Sequence, residues 1–377
     1  MSLSSIQDFV EPINLSFLSK DEGYRDTQLG KHIRSYENQL PDIKDADIVL
    51  IGAGECRGAG FALTGFEAAN AVRAALYNLY YWHAQVTIAD IGNVKLGQTI
   101  QDSYAALRTV IAELILQNKK VVIMGGSHDL TLPQYHAYTA IPTLVNAVVA
   151  DAKIDLDLEA RLPSDHFLEE LFTGLPNHLN HYAHIGFQSY FMHPHMLETI
   201  DKLRFDCFRL GRVREGIEEM EPVIRDSHMM SFDISAIQNA QAPANLITPN
   251  GFNGEESCTL MQYAGMSWKT STIGLFGYQA ELDVNNMTAI QIAQMFWYIM
   301  DGVQKGKKEA PLTESDRFKE FHIAFSDIET NFLQSKSTGR WWMQMHNNEW
   351  APCSYKDYLV ASNNEIPERW LRALERE

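Results

Sequence analysis

The sequence predicts an α/β fold, a three-layer α/β/α sandwich built on a mostly parallel sheet of about eight strands. Two observations predict it. Short apolar runs rich in β-branched residues alternate along the chain with longer stretches in which apolar residues recur three and four apart. The 377 residues are 45% hydrophobic and 21% charged, which is typical of a chain that buries a large core.

Nine apolar runs are predicted as strands because each is short and bounded by turn residues. They span residues 47–53, 85–91, 120–124, 146–150, 182–187, 205–209, 228–234, 272–277 and 321–327. Amphipathic helices are predicted where the apolar period lengthens, most clearly at 66–82, 99–117 and 287–303. These helices are expected to pack on the faces of the sheet.

The domain organisation follows from what the chain lacks. No repeat, low-complexity tract or Pro/Gly/Ser-rich linker divides it, so residues 46–377 are predicted to form a single domain. Residues 1–45 are polar and irregular and are expected to be an extension over the core. The tail from Thr338 onward contains Trp341, Trp342, Trp350 and Trp370, which favours packing against the body or a neighbouring subunit.

Charge and cysteine usage disfavour several classes of protein. Lys and Arg number 31 against 48 Asp and Glu, a net charge of −17, and the basic residues form no run that would bind nucleic acid. Four separated cysteines without a C-x-x-C pair disfavour a disulfide framework and a thiolate zinc site. No secretory leader is evident and the longest apolar stretch, 295–300, is too short for a bilayer, so a soluble cytoplasmic protein is expected.

Polar side chains follow three predicted strands, at the sheet edge where ligands of open parallel sheets gather. The third strand ends in the segment MGGSHD, whose two glycines allow a tight turn that aims His128 over the edge. Asp151 and Asp155 follow the fourth strand, and Asp233 lies near the end of the strand at 228–234.

Each of these residues could have an ordinary structural role, because a strand-end Asp often caps a helix and a lone His is often a hydrogen-bonded core residue. Their convergence is harder to explain in that way. Three carboxylates and an imidazole at one edge would repel or stay unpaired unless a cation lay among them. Oxygen-rich sites with one His suit hard divalent metals such as manganese, so a metal centre is predicted here.

The same three segments resemble the signature blocks of the ureohydrolase family, which includes arginase, agmatinase and formimidoylglutamase. The family blocks read Gly-Gly-x-His, Asp-Ala-His-x-Asp and Ser-Phe-Asp-x-Asp, and an Ala-Pro-Gly turn follows the last one. Here they appear as GGSH, DAKID and SFDIS, and the resemblance runs from about residue 51 to residue 289. The segment IGFQSY at 185–190 is similar to the formimidoylglutamase branch. The resemblance implies an arginase-like fold and, in active members, two manganese ions whose bridging hydroxide attacks a guanidinium or amidine carbon.

Carried over residue by residue, the resemblance implies four ligands for the first metal, namely His128, Asp151, Asp155 and Asp233. The second metal's own ligands fall on Lys153, where the family has His, and on Ser235, where it has Asp. Because an ammonium cannot ligate a metal, Lys153 is expected to form a buried ion pair with Asp151 or Asp233 instead.

Two further departures concern the substrate side of the site. Gly277 stands where the family has the Glu that contacts the cationic substrate, so an anchoring carboxylate is lost. Ala244 ends the turn where the family has Gly, which affects the shape of the loop. The predicted catalytic residues are Asp155 and His166; the latter aligns loosely with the family's catalytic His, although a lone His in such a loop is more often a surface residue.

Two functions are compatible with these residues. One is a formimidoylglutamase- or arginase-like hydrolase of linear amidine C–N bonds with an impaired centre that holds at most one manganese ion, or none. The other is a non-catalytic family member that binds a small amidine or amino-acid-like ligand, or serves a regulatory or oligomeric role. The joint changes at Lys153, Ser235 and Gly277 favour the second slightly. A homo-oligomer, a trimer or hexamer, is expected because resembling proteins form closed assemblies.

Two other interpretations rank below these. A histone-deacetylase-like enzyme shares the architecture, but its single metal uses the Asp-x-His pair that Lys153 removes. The turn with Gly52, Gly54 and Gly58 resembles a dinucleotide-binding loop, but its third glycine is one residue late and no acid follows at about 20 residues.

Overall fold

The computed structural model describes residues 5–15, 23–63, 65–326 and 328–375. Its main sheet has ten strands, which are β1 (Val10–Glu11), β2 (Arg34–Ser35), β3 (Ile48–Ala53), β4 (Ile88–Val94), β5 (Lys120–Met124), β6 (Val145–Ala150), β7 (Leu179–Phe187), β8 (Asp206–Arg209), β9 (Met229–Asp233) and β10 (Thr272–Phe276). Strands β4-β3-β5-β10-β9-β6-β7-β8 pair in parallel in that order, so their carboxyl ends share one edge. The predicted fold class is confirmed.

The helices lie on both faces of this sheet. They are α1 (Leu29–His32), α2 (Glu67–Tyr77), α3 (Ile100–Leu116), α4 (Thr131–His136), α5 (Pro163–Thr173), α6 (Pro194–Lys202), α7 (Leu210–Glu215), α8 (Met220–Arg225), α9 (Gly254–Met266), α10 (Met287–Gly306), α11 (Tyr355–Ser362) and α12 (Glu368–Leu374). The three predicted helices correspond to α2, α3 and α10. Thr99 and Asn253 begin α3 and α9 with reciprocal capping boxes, which satisfy amide groups that the first helical turn leaves unpaired.

Two apolar cores sandwich the sheet. Alternate residues of each strand point to opposite faces, so Leu50 and Val122 join α2, α9 and α10 in one core while Val49 and Val121 join α3, α4 and α5 in the other. Burial on both faces explains why these strands read as nearly continuous apolar runs.

The residues before β3 contribute to the edge of the sheet. Strand β1 pairs antiparallel with β4, and β2 pairs with β4 in parallel. Ile6, Val10 and Leu29 are buried. The described part of residues 1–45 therefore packs as edge structure.

The ninth predicted strand was wrongly placed among the parallel strands. Strand β11 (Phe318–Phe325) belongs to a separate antiparallel sheet with β12 (Ile328–Ser335), β13 (Trp341–Gln344) and β14 (Trp350–Cys353). Two residues connect β11 to β12, which allows only a hairpin, since a parallel crossover needs a dozen or more. Asp327, the last residue of the prediction, lies outside the described residues.

The C-terminal piece, defined as residues 318–375, packs on the body as the tryptophans indicated. Trp341, Trp342 and Trp370 are buried. The Arg225 guanidinium lies 4.3 Å from the Trp342 ring centre and donates a hydrogen bond to the Trp341 carbonyl at 2.8 Å. This cation–π contact joins α8 to the second sheet. In the described parts of the chain, no helix is both long and apolar enough to cross a membrane.

His228, just before β9, makes the stability of the fold depend on pH. Its Nδ1 accepts a hydrogen bond from the Asn146 amide at 2.9 Å, and burial together with the Lys269 charge lowers the pKa of its imidazole to about 4. An unfolded His has a pKa of about 6.5, so between these values the unfolded chain binds more protons. The contribution of neutral His228 to the stability of the fold is therefore complete above pH 6.5, and it is lost as the pH falls through 4.

We predict that His228→Asn, which keeps an acceptor but does not titrate, removes this pH dependence. Between pH 7 and pH 4.5 the free energy of unfolding of the wild type should fall by about 2 kcal/mol more than that of the variant. Urea unfolding at the two pH values measures both. Equal falls in the two proteins would contradict the role given to His228.

Candidate metal centre

The turn after β5 carries His128 to the carboxyl edge of the sheet. Gly125 and Gly126 have φ values of +86° and +85°, which side-chain-bearing residues rarely adopt. A Cβ on Gly125 would lie 2.9 Å from the Ala53 carbonyl, so the chain can pass this close to β3 only with glycine. The turn delivers His128 to the loops that follow β6 and β9.

The structure brings the four predicted ligands together. His128 Nδ1 lies 2.8 Å from Asp155 Oδ2, 3.1 Å from Asp151 Oδ2 and 3.9 Å from Asp233 Oδ2. All four side chains are buried. Residues from three strand ends thus converge, as the parallel sheet requires.

The imidazole of His128 is held so that Nδ1 faces the carboxylates. Its Nε2–H donates to Ser231 Oγ at 3.1 Å, and Ser231 Oγ lies 2.6 Å from Thr131 Oγ1. The Phe167 ring packs edge-on against it at 5.0 Å. Sequence reasoning missed Ser231, although it precedes Asp233 by two on β9 and so shares its face of the strand.

Neighbouring charges shift the pKa values of the whole cluster. Burial acts against the charged imidazole, but the hydrogen bonds that it donates to Asp151 and Asp155, together with the charges of Asp233 and Asp151, outweigh burial and raise the pKa of His128 well above its usual value. Burial and the Asp151 charge raise the pKa of Asp155 well above the usual range and that of Asp233 to about 6. Burial opposes ionisation of Asp151, but His128 prevails and lowers its pKa. The single positive charge of His128 therefore does not keep all three carboxylates ionised at once.

Ser235 and Lys153 are the residues that the family resemblance places at a second metal. Ser235 Oγ donates to Asp151 Oδ1, and the Ser235 amide donates to Asp233 Oδ1 at 2.7 Å. Lys153 Nζ lies 3.6 Å from Asp165 Oδ1, and both side chains are about a third exposed. The expected buried pair of Lys153 with Asp151 or Asp233 is wrong.

Helix α5 provides the physical reason for this correction. Asp165 lies in its first turn, where the helix dipole favours a carboxylate, and it offers Lys153 a partner in contact with water. Burial alone would lower the pKa of Lys153, but Asp165, Asp155 and Asp151 raise it, so the ammonium is retained. A partly exposed ion pair of this kind contributes about 0–1 kcal/mol to stability.

The ligand atoms fit one divalent cation. One nitrogen of His128 and one oxygen each of Asp151 and Asp155 lie within 4.8 Å of one another, and Asp233 Oδ2 adjoins them. This oxygen-rich set with a single imidazole suits manganese. A second ion would depend on Ser235, whose hydroxyl is engaged with Asp151, and on Lys153, which cannot ligate.

Sequence reasoning also missed His184 on β7. Burial, partly offset by the Asp151 charge, lowers its pKa to about 4, so the ring is neutral near pH 7. Its Nδ1 accepts from the Tyr182 hydroxyl at 2.8 Å, which leaves Nε2–H to donate to the Asp151 carbonyl at 3.1 Å. These two hydrogen bonds fix the backbone at Asp151 and so the position of its carboxylate.

The segment 185–190 ties the loops beside the centre to one another. The Gln188 amide donates to the Ala152 carbonyl at 2.9 Å, and its side chain accepts from Thr248 Oγ1 at 3.2 Å. Its Nε2 donates to the Asn250 carbonyl at 3.1 Å. The loops after β6, β7 and β9 thus form a continuous rim.

His166 is not connected to the cluster by any hydrogen bond or ion pair within the described residues. It lies on α5 between Asp165 and Phe167, and its Nδ1 is buried without a hydrogen-bond partner in that part of the chain. Its catalytic role stays a prediction.

Gly277 approaches the centre so closely that a side chain has no room. It follows β10 with φ of +79°, and a Cβ there would lie 2.4 Å from Asp233 Oδ2. A carboxylate at this position would require Asp233 or the turn to move.

Comparison with known protein families matches residues 46–301, most of the chain, to the arginase family. The chain belongs to the arginase family. This confirms the resemblance found in the sequence. No curated protein sequence matches the chain.

Solved structures of similar fold include two enzymes named for formiminoglutamate and one for agmatine. Formiminoglutamase of Trypanosoma cruzi with Mn²⁺ has a TM-score of 0.66 at 16% identity and covers 74% of this chain and 99% of its own. Formimidoylglutamase of Bacillus subtilis has a TM-score of 0.66 at 18% identity, covering 77% and 97%. Agmatine ureohydrolase of Thermoplasma volcanium has a TM-score of 0.61 at 17% identity, covering 76% and 98%. At these identities the likeness shows the arginase-family fold.

We predict that Gly277→Ala lowers the stability and the manganese affinity of this arginase-family protein by more than backbone strain alone would. Gly339→Ala is the matched control, because Gly339 has φ of +74° and nothing within 4 Å of its Cβ position. Both variants bear the left-handed strain of about 1 kcal/mol, and contact with Asp233 should add roughly 1–3 kcal/mol at 277. Urea unfolding measures the difference, and manganese titration should show weaker binding in Gly277→Ala only. Equal behaviour of the two variants would contradict the contact.

Proposed function

We propose that this arginase-family protein binds one hard divalent cation, manganese in the first instance, and hydrolyses a C–N bond of a small linear amidine. One observation carries the proposal. His128 Nδ1, with its Nε2–H committed to Ser231, faces oxygens of Asp151 and Asp155 at 3.1 and 2.8 Å. A ring nitrogen oriented in this way by its other nitrogen is the usual arrangement of a metal-bound histidine.

A bound divalent ion would supply Lewis acidity, which lowers the pKa of a coordinated water. The chain's own residues hold the ligands of the ion in place. Ser235 Oγ and His184 Nε2–H fix Asp151 through its carboxylate and its carbonyl. The Asp155 carboxylate would be one of the ligands of the ion, and a bound cation would oppose the rise in its pKa that burial and the Asp151 charge cause.

The limit of one ion follows from residues 153 and 235. The Lys153 ammonium keeps a positive charge near Asp155 and Asp151 while it pairs with Asp165. Ser235 offers a neutral hydroxyl in place of a carboxylate. The protein therefore uses at most one metal, in contrast to the two-metal hydrolysis that the family resemblance implies.

The amidine class rests on the family and on the carboxylates of the centre. A planar N–C–N cation carries donors that Asp233 can accept, and Asp233 is the least enclosed of the three carboxylates. The named neighbours from Trypanosoma cruzi, Bacillus subtilis and Thermoplasma volcanium support the same class.

A second candidate function is non-catalytic ligand binding or regulation. The observation that favours it is the approach of Gly277 to Asp233, which leaves no space for a substrate-anchoring carboxylate. A site that keeps its metal but cannot hold the substrate cation would bind a ligand without turnover.

We predict one manganese per chain by plasma emission after metal loading and dialysis. Release of ammonia, formamide or urea should follow with at least one member of a panel of formimino and guanidino compounds. His128→Asn should abolish both signals, while His195→Asn, at an exposed surface position, should leave both intact. Manganese without any product would transfer the assignment to the non-catalytic candidate. Absence of manganese would overturn both.

We further predict that the double variant Lys153→His, Ser235→Asp raises the manganese content towards two per chain. It restores a ligand at each position that the second metal needs, and the loss of the Lys153–Asp165 pair should cost no more than about 1 kcal/mol. The control is Lys153→Met, Ser235→Ala, which changes the same positions without adding ligands. A content of one in both double variants would show that ligand identity at these positions does not set the count.

A further inference from the structure

A cavity of about 530 Å³ lies where the C-terminal piece meets the edge of the main sheet. Its volume falls within the roughly 300–1,000 Å³ of small-molecule sites, which often form where two packed bodies meet. The sheet-side wall is formed by lining residues 181–226, and the C-terminal wall by lining residues 351–373. The second wall lies beyond the family match at 46–301, so the arginase-family part of the chain does not form this cavity alone.

The two walls carry opposite charge. The sheet-side wall has four acids and one arginine, namely Asp206, Glu215, Glu219, Asp226 and Arg212. The C-terminal wall has three cations and two acids, namely Lys356, Arg369, Arg372, Asp357 and Glu368. An electric field therefore crosses the cavity from one wall to the other.

Ion pairs across the cavity use most of these charges. Arg372 lies 3.1 Å from Asp206, and Arg369 lies 3.5 Å from Glu219. Arg212 pairs with Glu368 in the opposite direction, at 3.3 Å. These pairs hold the walls together.

The other acids of the lining, apart from Glu215, also have partners. Asp357 accepts from Arg369 at 3.0 Å within the C-terminal wall. Asp226 is paired with Lys269, outside the cavity, at 2.7 Å.

Two charged side chains of the lining are left without a partner among the described residues. The side chains of Glu215 on the sheet-side wall and Lys356 on the C-terminal wall are exposed and have no ion pair or hydrogen bond within the described part of the chain. They have opposite sign and stand on opposite walls. Val223, Val360 and Ile366 supply apolar lining besides the charges.

We propose that this cavity binds a small zwitterion, with its ammonium at Glu215 and its carboxylate at Lys356. A zwitterion neutralises both free charges at once, whereas a simple amine or a simple acid leaves one of them uncompensated. The carbon chain between the two groups contacts the apolar lining. The site is separate from the metal centre and does not depend on it.

The test titrates a series of amino acids of increasing length into the full-length chain by calorimetry. EDTA is present to keep the metal centre free of metal. Glycine, β-alanine, 4-aminobutyrate and 6-aminohexanoate place the two charges at increasing separation, and butylamine and butyrate carry one charge each. Affinity should peak at one length and exceed that of both single-charge compounds by about tenfold or more. No binding of any zwitterion at about 10 mM, or equal binding of a single-charge compound, would overturn the proposal.

Charge variants locate the site. Glu215→Gln and Lys356→Gln should each weaken the best zwitterion by about tenfold, and the swap Glu215→Lys, Lys356→Glu should restore binding in the reversed orientation. Lys319→Gln, an exposed position on β11, is the control and should change nothing. All three positions are at the surface, and melting temperatures verify that each of the four variants folds. Unchanged affinity in both single Gln variants would place any binding elsewhere and refute the assignment.

Discussion

The constraint on which the centre depends is the burial of three carboxylates around one imidazole. Asp151, Asp155 and Asp233 are taken out of water at the carboxyl edge of the sheet, where each needs a proton, a hydrogen bond or a cation. His128 compensates only part of this charge, which is why the pKa values of Asp155 and Asp233 rise while that of Asp151 falls. A single divalent ion among the four would complete the compensation. Ser231, Ser235 and His184 are arranged as the hydrogen-bonding supports of such a centre.

The fold explains how the four side chains meet at one edge of the sheet. Parallel strands β5, β6 and β9 deliver the ligands to one edge, and apolar cores on both faces hold those strands in register. At this edge Lys153 turns outward to Asp165, and the Ser235 hydroxyl donates a hydrogen bond to Asp151. The C-terminal piece adds a second sheet and, with it, a charged cavity at the opposite end from β4.

Much of the fold and the meeting of four polar side chains at one edge could be predicted from the sequence, because strand periodicity and strand-end chemistry are local properties. That His128, Asp151, Asp155 and Asp233 lie together follows from the rule that parallel strands share a carboxyl edge. The partner of Lys153 could not be predicted, because it depends on how α5 folds back over the loop after β6. The wrong placement of 321–327 came from treating an apolar run as a parallel strand despite the two-residue connection that follows it. The cavity was invisible in the sequence, since its walls lie more than a hundred residues apart.

The most direct test of the one-metal account is the anomalous diffraction of a manganese-loaded crystal of the wild-type protein. The account predicts one anomalous peak per chain, bounded by His128 Nδ1 and the carboxylate oxygens of Asp151 and Asp155, with the Lys153 ammonium still beside Asp165. Two peaks within the cluster, or Lys153 drawn in among the carboxylates with no peak at all, would contradict it.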